Sequence, residues 1–197
     1  MSTATQPTTQ APGESHAASR PLGWYGMVFF IASEAVFFAN LIASYLYLRV
    51  RAGSTWPQVH VDQTLAVVNT LILVTSSVTL HMGMLAINRG DKSGLRRWLL
   101  PTILLGAAFI SIQLFEYHSN GFGPSTNIYG SDFYTLTGFH GAHVTVGILL
   151  LIVCYFRALR GDFTQERHFA LTAAEMYWHF VDVVWIILVS LLYFVVH

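Results

Sequence analysis

The ionisable side chains that could do chemistry in this chain lie within long apolar stretches. Glu175, His179 and Asp182 are spaced at i, i+4 and i+7, which places all three on one face of a helix. Trp178 and Trp185 form a second stripe beside them. Ionisable groups inside a membrane are unfavourable unless they meet a partner. The pattern therefore indicates either a buried hydrogen-bonded network or a proton-handling site.

Two histidines, His140 and His143, are spaced at i, i+3 in the segment TGFHGAHVTVG. Histidines at this spacing can share a haem, copper or non-haem iron. His179 cannot complete such a site, because it lies about 8 Å from one membrane surface while the pair lies about 8–12 Å from the other. The sequence also lacks the Glu-x-x-His pairs of di-iron carboxylate sites. We therefore expect that the two histidines bind no metal and instead form hydrogen-bonded contacts between helices. Gly138 and Gly141 are expected to let another helix approach closely.

Glu34 stands alone in its apolar stretch, about 18 Å along a helix that begins near Leu22. Its neighbours one turn away are all apolar: Phe30, Ile31, Phe37 and Phe38. It is either a proton-accessible carboxyl or a neutral acid that hydrogen-bonds a neighbouring helix. Other polar residues in apolar stretches have types and spacings typical of contacts between helices: Asn69, Gln113 and Glu116.

The composition identifies the elements that must position these groups. The chain has 197 residues, of which 54% are hydrophobic and only 10% charged, whereas soluble domains carry about 25% charged residues. Five stretches have the length of about 20 apolar residues that a bilayer requires, and they are too long and continuous for barrel strands. We expect an all-α membrane protein, a bundle of five transmembrane helices over residues 21–197. The predicted helices are about 22–49, 63–88, 98–118, 135–160 and 174–196.

Charge sets the remaining limits. Ten Lys plus Arg balance ten Asp plus Glu, so nucleic acid is excluded as a partner. Residues 1–20 are rich in Ser, Thr, Gln and Pro and are expected to form a disordered cytoplasmic tail. Eight of the ten basic residues fall in this tail and in the second and fourth connections. Since basic segments stay in the cytoplasm, we expect the amino terminus inside and the carboxyl terminus outside.

Known catalytic motifs do not narrow the function. The sequence has no G-x-S-x-G, no H-E-x-x-H and no phosphate-binding G-x-x-x-x-G-K. Three classes remain on physical grounds alone: a non-catalytic subunit of a membrane complex, a stand-alone membrane metalloenzyme, and a small proton-coupled transporter.

Five segments resemble cytochrome c oxidase subunit III, in the same order along the chain. They are GMVFFIASEAVFFANL around Glu34, NTLILVTSSVTL from Asn69, QLFEY from Gln113, TGFHGAHVTVG from Thr137 and YWHFVDVVW from Tyr177. The similarity covers about residues 21–196. The combination of TGFHGAHV and YWHFVDVVW on successive predicted helices is its most specific part.

The resemblance implies a subunit of a haem–copper terminal oxidase that binds no redox centre itself. In that family haem and copper belong to subunits I and II, and the complex reduces dioxygen to water while pumping protons. Subunit III is associated with proton delivery, with protection against inactivation during turnover and with bound phospholipid. The implied partners are subunits I and II and membrane phospholipid, with a cytochrome bc complex as a further candidate. The implied location is the bacterial plasma membrane.

The resemblance also implies roles for particular residues. Glu34 matches the family's intramembrane carboxyl, which is associated with carbodiimide reactivity. Five more residues match polar positions of the family: His140, His143, Glu175, His179 and Asp182. The resemblance does not imply that they bind metal.

The sequence departs from longer family members, which have two further helices before the matching part. Those helices form one wall of a lipid-filled cleft, so a lipid site here is expected where a partner supplies that wall. Third subunits of related quinol oxidases share these motifs in a five-helix form. Because subunit II selects the electron donor, quinol remains an alternative to cytochrome c, which TGFHGAHV and YWHFVDVVW favour.

Overall fold

The computed structural model describes residues 22–57 and 61–195, and this part of the chain forms five long helices. A short 3₁₀ turn, Gly53–Thr55, follows the first helix, and a π-helical turn, Ser190–Val195, continues the last. All five helices are long and apolar enough to cross a membrane. The helices are α1 (Leu22–Ala52), α2 (Gln63–Asn88), α3 (Lys92–Ser119), α4 (Ile128–Arg160) and α5 (Phe169–Val189). The expected all-α membrane fold with five spans is confirmed, while the expected disorder of residues 1–20 falls outside the described residues.

Several helix boundaries differ from those expected, and at α3 and α4 a capping side chain extends the helix beyond its uncharged stretch. Asp91 accepts a hydrogen bond from the Gly94 amide at 2.8 Å, and Asn127 caps α4 in the same way at 2.7 Å. Counting uncharged residues locates the part that crosses hydrocarbon, whereas the cap sets the first turn. Thus α3 begins at Lys92 rather than about 98, and α4 at Ile128 rather than about 135. Without a side-chain cap, α5 begins at Phe169 rather than about 174, and α1 ends at Ala52 rather than about 49.

Trp178 of α5 ties four helices together. A Cβ placed at Gly106 of α3 or at Gly147 of α4 would lie 2.8 Å from ring atoms of Trp178, so the indole occupies the space that these two glycines leave. Its Nε1 donates a hydrogen bond to Ser76 Oγ of α2 at 3.0 Å. The Trp178 side chain is only 1% exposed. These contacts fix the position and rotation of α5 against α2, α3 and α4.

The prediction that another helix lies close to Gly138 and Gly141 is wrong for the described part of this chain. A Cβ at Gly138 would meet nothing within 4 Å, and one at Gly141 would meet only side-chain atoms of Gln113 and Ile110 at 3.9 Å. Both glycines line a groove between α3 and α4 on the surface of the bundle. The close approach occurs instead at Gly147, further along α4 and facing α5.

Helix α1 lies at the edge of the bundle. Of its described side chains only Phe38 and Tyr45 are buried, whereas α5 contributes both tryptophans and Asp182 to the core. It packs against α4 and α5 and exposes large apolar side chains, among them Leu22, Phe29, Val36, Tyr47 and Val50. Such a surface suits lipid or a partner helix.

The glycines of α4 provide a matched test of this packing. We expect Gly147→Ala to destabilise the protein by about 1–3 kcal/mol, because its new methyl group would overlap the rigid indole of Trp178. The same change at Gly138 meets open space and should be neutral or slightly stabilising. Thermal unfolding of the two variants in detergent checks the difference, and equal melting temperatures would contradict the assigned contact.

Candidate functional site

The predicted polar face of α5 lies against α2 and joins residues of both helices. Glu175 Oε1 lies 3.1 Å from His81 Nδ1 and 3.7 Å from His179 Nε2. Ser77 Oγ lies 3.1 Å from His179 Nδ1, and the Ser77 hydroxyl donates a hydrogen bond to the Asp182 carboxylate. These five side chains, Ser77, His81, Glu175, His179 and Asp182, are called the α2–α5 polar cluster below.

Burial within the α2–α5 polar cluster is graded. Asp182 is 6% exposed, and the Glu175 side chain is 14% exposed. The side chains of His179 and His81 are 44% and 59% exposed. The two acids are therefore held inside the bundle, and the two imidazoles cover them at its surface.

Glu34 meets His143 across the interface of α1 and α4. Glu34 Oε2 lies 2.9 Å from His143 Nε2, and the two side chains are 24% and 17% exposed. The rings of Phe37 and Phe38 lie beside the imidazole, with centroid distances of 6.2 and 4.9 Å. An aromatic wall and a direct charge partner therefore enclose the carboxyl that the sequence left alone in its helix.

The hydrogen bonds of His143 define how the pair carries its proton. Its Nδ1 lies 2.7 Å from the Phe139 carbonyl oxygen, which can only accept, so Nδ1 carries a hydrogen. Nε2 and the Glu34 carboxyl then share one proton, as a neutral acid donating to a neutral imidazole or as a carboxylate accepting from an imidazolium. The pair is neutral overall in both forms, which lowers the free energy of placing it inside a membrane.

His140 does not join His143. It is fully buried, stacks on Trp185 at a centroid distance of 4.8 Å and meets the edge of Phe109 at 5.8 Å. Neither ring nitrogen has a hydrogen-bond partner among the described residues. The two imidazoles of TGFHGAHV therefore face different neighbours, one toward the indole of α5 and the other toward Glu34 of α1.

The remaining predicted polar residues lie in the core near the other end of the bundle. Asn69 Nδ2 donates to the Phe109 carbonyl at 3.4 Å, a long hydrogen bond. Glu116 is 3% exposed and accepts from the Tyr193 hydroxyl at 2.7 Å. Gln113, also buried, reaches Tyr117 only at 3.5 Å, and the Tyr117 hydroxyl donates to Thr137 Oγ1 at 2.7 Å. Asn69 and Glu116 thus form hydrogen bonds between helices, whereas the hydrogen bond of Gln113 stays within α3.

Sequence reasoning missed the partners on α2 and in the π-helical turn. Ser77 and His81 are spaced at i, i+4, as are Glu175 and His179, and matching two such pairs would have aligned α2 with α5. Tyr193 gave no comparable signal. It reaches Glu116 from the π-helical turn, which a regular helical pattern does not predict.

The fold and these contacts define a class of protein, a multi-pass helical membrane protein whose ionisable side chains pair between its helices. The sequence matches the family model described as cytochrome c oxidase subunit III over residues 9–196. This chain therefore belongs to the cytochrome c oxidase subunit III family and is a membrane subunit of an oxidase complex. The resemblance drawn from its five sequence segments is confirmed.

Individual relatives agree with the family match. The chain is 43% identical over 171 residues to cytochrome c oxidase subunit 3 of Thermostichus vulcanus, covering 85% of each chain. It is 41% identical over 186 residues to the probable cytochrome c oxidase subunit 3 of Mycobacterium bovis, covering 91% of this chain and 92% of the relative. Against the subunit 3 of Loxodonta africana it is 40% identical over 177 residues, covering 86% of this chain and 68% of the relative.

Asp182 is expected to stabilise the packing of α5 on α2. Asp182→Leu removes one acceptor of the half-buried Ser77 hydroxyl, which keeps only His179 Nδ1 at 3.1 Å, so we expect a loss of about 0.5–1.5 kcal/mol. Asp182→Asn keeps an acceptor oxygen and should lose less. Unfolding of the two variants in mixed detergent micelles measures the difference, and a leucine variant as stable as the asparagine variant would show that the contact does not contribute.

Proposed function

We propose that this chain acts as the non-redox subunit of a proton-translocating cytochrome c oxidase in a bacterial plasma membrane. Subunits I and II carry the haem and copper, transfer electrons and reduce dioxygen. This chain supports proton uptake, stabilises the complex and binds phospholipid. The observation that carries the proposal is the Glu34–His143 pair, 2.9 Å between Oε2 and Nε2, in a chain of this family.

The chemistry of the pair suits proton handling better than simple adhesion between helices. A side chain that serves only as a hydrogen-bond donor needs no second titratable group, whereas Glu34 and His143 share one proton and exchange it without a net change in charge. Both side chains retain some exposure at the loosely packed edge of the bundle. The pair therefore lies beside the surface that α1 offers to a partner, and a partner that brings water or a titratable group to this surface would supply the proton.

The position of the basic residues supports the orientation. The end of the bundle where α2 meets α3 and α4 meets α5 carries Arg89, Lys92, Arg96, Arg97, Arg157, Arg160 and Arg167. The opposite end carries Arg49 and Arg51. We place the basic end in the cytoplasm, with the amino terminus inside and the carboxyl terminus outside.

The partners follow from the family and from the surface. The relatives are named as subunits of cytochrome c oxidase, which favours cytochrome c over quinol as the donor to the complex. The groove of about 290 Å³ between α3 and α4 is lined by Ile110, Leu114, Tyr117 and Gly138 among others, and it suits one phospholipid acyl chain. A cytochrome bc complex is proposed as a further partner on the family resemblance alone.

The carboxyl of Glu34 is expected to matter during turnover rather than in assembly. Glu34→Gln keeps the size and a hydrogen bond to His143 but cannot exchange a proton, so the purified oxidase should contain normal haem and subunit III. We expect it to inactivate several-fold faster during sustained turnover and to lose carbodiimide labelling of this chain. Both are measured on the purified complex.

A matched control is Glu166→Gln, which changes an exposed acid in the connection between α4 and α5. It should leave inactivation and labelling unchanged. The proton-handling role is refuted if Glu34→Gln is labelled and inactivates as the unmodified oxidase does. It is equally refuted if both glutamine variants change the inactivation rate by the same factor.

The orientation is tested with single cysteines. Cys154 is buried and can be replaced by serine, after which Ser93→Cys and Ser125→Cys place one exposed thiol at each end of the bundle. A membrane-impermeant maleimide should label residue 125 in intact cells and residue 93 only after the membrane is opened. The reverse result would invert the proposed topology.

A further inference from the structure

The α2–α5 polar cluster contains three groups that the proposed proton chemistry does not use. They are the side chains of His81, Glu175 and His179, and one ligand atom of each lies within 4.8 Å of the other two. We propose that these three side chains form a binding site for a divalent transition-metal ion, with Zn²⁺ as the best match. This inference is independent of the role of Glu34.

The distances fit a zinc centre. Bonds of about 2.0–2.1 Å in a tetrahedral site place neighbouring ligand atoms about 3.3 Å apart. Glu175 Oε1 lies 3.1 Å from His81 Nδ1 and 3.7 Å from His179 Nε2. The carboxylate is thus already at ligand spacing from both imidazoles, and the ligand atoms of His81 and His179, which lie within 4.8 Å of each other, would have to approach when an ion binds.

The type of donor selects the ion. Two imidazoles and one carboxylate are a common ligand set for zinc and a poor one for Mg²⁺ or Ca²⁺, which prefer oxygen alone. Three protein ligands leave a fourth position open to water. The half-exposed imidazoles lie at the surface of the bundle, so the described part of this chain does not cover them.

Hydrogen bonds to Ser77 and Asp182 already orient one of the three proposed ligands. His179 turns Nε2 toward Glu175, while its Nδ1 lies 3.1 Å from Ser77 Oγ, which is bonded in turn to Asp182. Metal-binding histidines generally use their other nitrogen in this way, which fixes the ring and the tautomer. The Trp178–Ser76 hydrogen bond, adjacent in sequence to His179 and Ser77, holds the two helices in register.

The third ligand explains why the sequence predicts no metal here. Glu175 and His179 at i, i+4 provide only two ligands on one helix. His81 comes from α2 and is brought to them by the packing of α2 on α5.

The test uses the intact oxidase that contains this chain. The complex is stripped with a chelator, equilibrated with Zn²⁺ and analysed for bound zinc per haem. We expect His81→Ala and Glu175→Gln each to bind one zinc fewer than the unmodified complex, and Ser77→Ala to bind it about tenfold more weakly. The control is His118→Ala, an exposed histidine near the end of α3, which should bind the full complement.

Zinc X-ray absorption of the same complexes provides a second measurement, which reports the types of ligand around the ion. The difference between the unmodified complex and His118→Ala should be nil, and the signal lost in His81→Ala should correspond to an ion with two imidazole ligands and oxygen. Equal zinc content in the unmodified complex and His81→Ala would overturn the site. The site would also be overturned if the zinc signal lost in His81→Ala showed no imidazole scattering. The lost ion would then not have been bound by these histidines, and the cluster would be a hydrogen-bonded network only.

Discussion

The packing of the Trp178 indole between Gly106 and Gly147 is the contact on which the rest of the structure depends. In hydrocarbon there is no hydrophobic force between helices, so close packing and hydrogen bonds must hold them. The indole supplies both, since it fills the space of two absent side chains and donates to Ser76. Once α5 is fixed, its neighbouring residues are placed against α4 on one side and α2 on the other.

Both polar sites follow from that placement. Tyr177 donates a hydrogen bond to the His143 carbonyl at 3.2 Å, which supports the turn of α4 that presents His143 to Glu34. His179 faces Ser77 and so completes the α2–α5 polar cluster. The residues immediately before and after Trp178 therefore support two different interfaces, and the positions of both sites depend on one rigid side chain.

The sequence specified the helices better than the contacts between them. Bilayer thickness imposes a length on any spanning segment, so five uncharged stretches were enough to predict five helices, and the i, i+4, i+7 spacing was enough to place Glu175, His179 and Asp182 together. Which helix faces that stripe is a matter of packing. Gly147 and Gly138 look alike in the sequence, yet only Gly147 receives an indole, and this difference decides how the helices rotate. The pairing of Glu34 with His143 lay beyond the pattern for the same reason.

The two sites solve the problem of buried charge in different ways. Glu34 and His143 share one proton and stay neutral as a unit, which lowers the desolvation free energy of a carboxyl inside the membrane. The α2–α5 polar cluster instead holds two acids against two imidazoles and a hydroxyl, so its charge balance depends on how many protons or cations it holds. A neutral pair can pass a proton without disturbing the fold, whereas a cluster of changeable charge attracts a cation. This electrostatic difference separates the Glu34–His143 pair, with its proposed role in proton handling, from the proposed metal site.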